Sequence, residues 1–105
     1  MSCITYLSES NFESSILGKK AVLVVFYEDW CGHCRQFAPV LEQLAGEVAG
    51  DILVAEVNVD QNMALAAKFG VKSVPYCFIL KDGNVVEEFG GTKDKAELKQ
   101  KLKSV

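Results

Sequence analysis

Ala21-Val22-Leu23-Val24-Val25-Phe26-Tyr27 followed by Glu28-Asp29-Trp30-Cys31-Gly32-His33-Cys34 is the stretch that decides the fold. The segment Ala21–Tyr27 is apolar throughout and rich in valine. A strand with one face in water alternates apolar and polar residues. One that reads apolar on both faces belongs inside a sheet covered by helices on both sides. Beyond Cys34 the period changes, and Phe37, Val40, Leu41, Leu44 and Val48 recur at three- and four-residue steps, the pattern of an amphipathic helix. Pro39 lies within it and is expected to kink it, because its ring removes a backbone hydrogen bond. A close cysteine pair therefore stands where a buried strand hands over to a helix.

The flanking sequence completes an alternating order. Residues 4–7 read as a first strand, with Cys3 counted in it, and Ser10-Asn11-Phe12-Glu13 has capping-box spacing for a short helix ending near Leu17. Residues 52–59 read as a third strand interrupted by Glu56 and Asn58, and residues 62–69 as a helix stopped by Gly70. Tyr76–Lys81 and residues 85–89 flank the turn signal Asp82-Gly83-Asn84, which predicts an antiparallel hairpin. After Gly90-Gly91, Asp94-x-x-Glu97 caps a last helix with Leu98 and Leu102 facing inward. The expected architecture is α/β, in the order β-α-β-α-β-α-β-β-α, with a mixed central sheet flanked by helices.

The position of the dithiol carries the chemistry. In an open α/β sheet, ligands bind in the crevice at the carboxyl ends of the strands. A helix start offers unpaired N–H groups and the positive end of the dipole, so a thiolate at Cys31 should be stabilised there. Cys34, one turn on, should be the more buried thiol. Two cysteines at this spacing can close a short disulfide: one attacks a substrate disulfide, and the other expels the resulting mixed disulfide. The alternative is half a zinc site, but structural zinc needs four ligands, and only Cys3, Cys77 and His33 remain as soft donors without forming a second close pair. Cys77 reads as a small buried apolar residue, with a third redox-active thiol as the sharper reading.

Trp30-Cys31-Gly32-His33-Cys34 after an apolar strand resembles the active-site signature of the thioredoxin superfamily. Val74-Pro75, Asp60-Gln61-Asn62, Lys68-Phe69-Gly70-Val71 and Gly90-Gly91 extend the resemblance over essentially the whole chain. It implies the thioredoxin fold, a cis peptide before Pro75, and a substrate surface of Trp30, Val74, Pro75 and Gly90. It also implies Cys31 as nucleophile, Cys34 as resolving thiol, and electrons from a thioredoxin reductase. Gly32-His33 departs from the Gly-Pro usual in thioredoxins and resembles protein disulfide isomerase domains. His33 should stabilise the thiolate and make the disulfide more oxidising, while Glu28 and Asp29, if exposed, oppose this. The family keeps a buried acid six residues before the first cysteine, where this chain has Val25. Glu56, on the neighbouring strand where thioredoxins have a lysine, is the candidate for a relocated proton-transfer group.

Composition fits this reading. A chain of 105 residues forms one domain, 1–105, and its 11 basic and 14 acidic residues give a net charge of −3, which argues against a nucleic-acid partner. The basic residues of 93–103 alternate with acids as a solvated helix face. No apolar run approaches the ~20 residues that span a bilayer, and Met1–Tyr6 lacks a secretory pattern. The expectation is a cytoplasmic monomeric protein-disulfide reductase without bound cofactor, acting on disulfide-bonded proteins. A disulfide oxidase or isomerase, or a binding or redox-sensing module of the same fold, are the alternatives.

Overall fold

In the computed structural model, which describes residues 3–48 and 50–105, the chain runs β1 (Thr5–Tyr6), α1 (Phe12–Ile16), β2 (Ala21–Tyr27), α2 (Gly32–Glu47), β3 (Ile52–Asn58), α3 (Met63–Phe69), β4 (Tyr76–Lys81), β5 (Asn84–Gly90) and α4 (Lys95–Ser104). The strands form one five-stranded sheet in the order β1-β3-β2-β4-β5. β1, β3 and β2 are parallel; β4 runs antiparallel to β2, and β5 to β4. The apolar run Ala21–Tyr27 is thus the middle strand, and it is buried from Ala21 to Phe26.

Because successive side chains of a strand point to opposite faces, β2 feeds two cores at once. Ala21, Leu23 and Val25 pack with Phe37, Leu41 and Leu44 of α2 and with Leu98 and Leu102 of α4. Val22, Val24 and Phe26 pack on the other face with Phe12 of α1 and Leu65 and Ala66 of α3. On that second face Phe69 meets the rings of Phe12, Phe26 and Phe78 at centroid distances of 5.4, 5.4 and 4.9 Å.

Local chemistry differs from expectation in three places. β1 is only Thr5–Tyr6, so Cys3 lies outside it and is exposed. α1 has no side-chain cap from Ser10. Asn11 stands at its N-cap, and the Asn11 Oδ1 accepts the Ser8 N–H at 2.7 Å, closing a turn before the helix. In the hairpin, Asp82 (φ 53°) and Gly83 (φ 80°) both take the left-handed conformation of a tight two-residue turn, so Asn84 already belongs to β5. Pro39 lies inside α2, where its sequence places it.

α4 begins as its sequence predicts. Asp94 accepts the Glu97 N–H at 3.0 Å, and Lys95 and Lys99 reach Glu47 of α2 at 2.6 and 3.1 Å. Asp94→Ala is expected to cost about 1 kcal/mol. Urea unfolding should show a lower midpoint at unchanged slope. An unchanged midpoint would mean the cap contributes nothing.

Candidate active site

At the end of β2 the chain turns through residues 28–30 and enters α2 with Cys31 as the N-cap residue (φ −83°, ψ 116°). The Cys34 backbone N–H donates to Cys31 Sγ at 3.2 Å. The sulfur therefore occupies the place that a serine or aspartate oxygen takes in an ordinary cap, facing the free N–H groups and the positive end of the helix. The Cys31 N–H donates to the Glu28 carbonyl at 3.2 Å, and the Arg35 N–H to the Cys31 carbonyl at 3.1 Å, so both sides of the residue are fixed by backbone.

Exposure does not distinguish the two thiols, contrary to expectation, because each is 6 % exposed. Cys31 is covered by the 73–75 loop, whose Val74 carbonyl oxygen lies 3.8 Å from its sulfur. The thiols differ in setting, Cys31 at the helix cap and Cys34 inside the helix. Burial, and then the hydrogen bond that the Cys34 thiol gives to Cys31, push Cys34 up to about 12, with the Glu28 backbone opposing and the Glu56 charge adding to the rise. Cys34 thus stays protonated in the reduced pair, its hydrogen directed at Cys31.

The Val74–Pro75 peptide is cis. The Gly91 N–H donates to the Pro75 carbonyl at 2.9 Å, and Gly90 pairs with Tyr76 across the hairpin. A Cβ at Gly90 would stand 3.3 Å from the Tyr76 ring, so the bare backbone permits this approach. The fold thereby brings Val74, Pro75 and the Gly90-Gly91 pair beside the dithiol. Trp30 is 68 % exposed and projects into solvent next to Cys31. Gly32 and His33 occupy the exposed outer side of the first turn of α2, and His33 makes no hydrogen bond to either sulfur.

A cavity of about 260 Å³ lies on the inner side of the pair, bordered by Cys34 and Ala38 of α2, Tyr27, Glu28 and Glu56. Glu56 is 6 % exposed and pairs in register with both Tyr6 and Val25. It therefore shares with Val25 the face covered by α2. Burial, aided by the Glu42 charge, pushes its carboxyl up to about 7. Cys77 lies one strand further along the same row, opposite Val25. It is fully buried, and burial pushes its thiol up to about 12, so it stays protonated.

From the sequence, Glu28 opposes the thiolate only if it is exposed. The structure buries it, 6 % exposed, whereas Asp29 beside it is exposed. Its place directly after a wholly apolar strand was the available signal. Among the described residues, no three His, Cys, Asp or Glu side chains come together as a metal site, and no helix is long and apolar enough to cross a membrane.

The Thioredoxin family model matches residues 3–104. A thioredoxin of Alicyclobacillus acidocaldarius is 40% identical over 99 residues, covering 94% of each chain. One of Streptomyces clavuligerus is 44% identical over 93 residues, covering 88% of this chain and 86% of that one. The solved structure of a mutant thioredoxin from Halobacterium salinarum superposes with a TM-score of 0.85 at 36% identity, covering 99% of this chain and 93% of that one.

Proposed function

The chain belongs to the thioredoxin family, has the thioredoxin fold and is a thiol–disulfide oxidoreductase; from that premise we propose that it reduces protein disulfides, with Cys31 as nucleophile and Cys34 as resolving thiol. The observation that carries this reading is the placement of Cys31 Sγ at the helix cap while Cys34 stays protonated. The Cys31 thiolate attacks one sulfur of a substrate disulfide. A Cys31–substrate bond forms, and the other substrate sulfur leaves as a thiolate and takes a proton from water. Cys34 then gives its proton to Glu56 and attacks the Cys31 sulfur. The Cys31–Cys34 disulfide forms, the second substrate thiolate departs, and two electrons have passed to the substrate. A thioredoxin reductase returns the pair to the dithiol.

Val74, Pro75, Gly90 and Trp30 form the substrate surface in this reading. In this reading an extended substrate chain lies across the 73–75 loop beside Cys31, and the exposed indole gives it an apolar contact. The protein works as a single domain, residues 1–105, as a monomer in the cytoplasm. Coverage of residues 3–104 by the family model supports the domain extent, and the small cysteine content, 4 in 105 residues, supports a reducing compartment. Insulin reduction followed by turbidity, driven by a thioredoxin reductase with NADPH, tests the reading. Turnover with dithiothreitol but none with the reductase would point to an oxidase or isomerase role, and turnover with neither to a binding module.

Gly32-His33 sets the potential. His33, on the exposed first turn of α2 beside the pair, favours the reduced form through its polar side chain near a Cys31 thiolate. His33→Pro is therefore expected to make the disulfide more reducing by tens of millivolts, 30 mV corresponding to about 1.4 kcal/mol for this two-electron couple. Proline is tolerated in the first turn of a helix, so the fold should survive. Equilibration of both proteins against glutathione measures it, and an identical potential would make His33 a surface residue only.

A further inference from the structure

The turn that carries the dithiol is strapped to the turn after β3. The Val59 N–H donates to the Tyr27 carbonyl at 3.0 Å, the Asp60 N–H to Glu28 Oε1 at 3.2 Å, and Asn58 Nδ2 to Asp29 Oδ2 at 3.4 Å. The receiving turn is itself tied down. Asn58 Oδ1 accepts the Gln61 N–H at 3.1 Å, and Asn62 Nδ2 donates to the Asn58 carbonyl at 3.0 Å. Of the three straps, only the one from Glu28 starts at a residue whose own backbone also meets the cysteines. Its carbonyl holds the Cys31 N–H at 3.2 Å, and its backbone hydrogen-bonds toward Cys34. Its side chain borders the cavity that Cys34 and Glu56 share.

We propose that Glu28 is a positioning residue for the second half of the exchange, its buried carboxyl anchoring to the 59–62 turn the stretch of backbone against which both sulfurs are set. This rests on the reading of Cys34 as the resolving thiol. Burying a carboxyl is costly unless its oxygens are satisfied, and a lone surface contact would not justify it. Burial first, then a hydrogen bond to the neighbouring Asp60 carboxyl, push Glu28 above the usual range, so it can act as donor to Asp60 as well as acceptor from its N–H. Glutamine offers one donor and one acceptor in the same shape, whereas aspartate is one methylene too short to reach. The attack of Cys34 on Cys31 is intramolecular and depends on alignment, to which small displacements matter most. The first attack, by a sulfur held in a helix cap, depends on it far less.

The test compares the wild type with Glu28→Asp, Glu28→Gln and Cys34→Ser, using rapid mixing with a disulfide-bonded peptide and acid quench to separate formation of the mixed disulfide from its release. Glu28→Asp should slow release about tenfold with formation within about twofold, and Glu28→Gln should restore wild-type release. Equal slowing of both steps in Glu28→Asp, or no slowing, overturns the positioning role. So does Glu28→Gln slowing release as Glu28→Asp does, since a side chain of the same reach with a donor and an acceptor would then fail to serve as the anchor. If Cys34→Ser releases its adduct at the wild-type rate, the resolving role of Cys34 falls, and this inference with it. A blocked Cys34→Ser beside an unimpaired Glu28→Asp removes the Glu28 role alone.

Discussion

Cys34→Ser is expected to turn the protein into a near-stoichiometric trap for disulfide-bonded proteins, while Cys31→Ser traps none. Only a thiolate is a competent nucleophile. Cys31 Sγ receives the Cys34 N–H at 3.2 Å at the start of α2, beside the Val74 carbonyl. Cys34 is pushed up to about 12, chiefly by burial, so it stays protonated at pH 7. Replacing Cys34 leaves the first attack intact and deletes the thiol that completes exchange, and a serine hydroxyl is too weakly ionised to substitute. Replacing Cys31 leaves a thiol that burial keeps protonated and that lies inside α2 rather than at its cap. The measurement is non-reducing electrophoresis after incubation with insulin, in a Cys3→Ser background because Cys3 is exposed. Cys77 is fully buried and needs no replacement. Adducts on Cys31→Ser and none on Cys34→Ser would reverse the roles, and adducts on neither would remove the case for an exchange enzyme.

The parts of this site that depend on pattern were legible in the sequence. A doubly apolar strand, a change of period at Cys34 and an Asp-Gly turn place the dithiol at the edge of a covered sheet, because periodicity follows directly from which faces are buried. The parts that depend on tertiary register were not. Val25 and Glu56 come level only because β2 and β3 pair without offset, and no local rule sets that offset. The exposure of Glu28 stayed open because nothing local announces the Asp60 N–H at 3.2 Å, a partner 32 residues away. Cys3 failed as a strand residue for the opposite reason. β1 is an edge strand with a single neighbour, β3, so the backbone stops pairing while the sequence still reads apolar. Ser10 lost its capping role to Asn11, whose side chain closes the preceding turn.

Glu56→Gln should slow release of the mixed disulfide at pH 8 by at least tenfold while leaving its formation unchanged, since general-base groups of this kind contribute about 10²–10⁴-fold. Glu56 and Cys34 border one cavity, and the Glu56 carboxyl is pushed up to about 7, chiefly by burial. Below that pH it carries a proton and cannot take another; above it the carboxylate can accept the one on Cys34. Wild-type release should therefore rise through pH 7 and then level, whereas the glutamine variant should lack that inflection. Stability moves in a linked and separately measurable way. In the unfolded chain the carboxyl titrates near its usual 4.5, so between about pH 4.5 and 7 the folded protein binds a proton that the unfolded chain has lost. That contribution to stability is complete below pH 4.5 and disappears as the pH rises through 7. Glutamine titrates nowhere, so the variant should gain on the wild type as the pH rises, by up to about 3 kcal/mol above pH 8 at 1.36 kcal/mol per unit. Denaturant unfolding at pH 4 and pH 8 reads this arm. A stability difference that is the same at both pH values would mean Glu56 is not held in an apolar setting. If instead that difference appears but the release profile keeps its wild-type inflection, water takes the Cys34 proton and Glu56 is a buried acid without a part in the exchange.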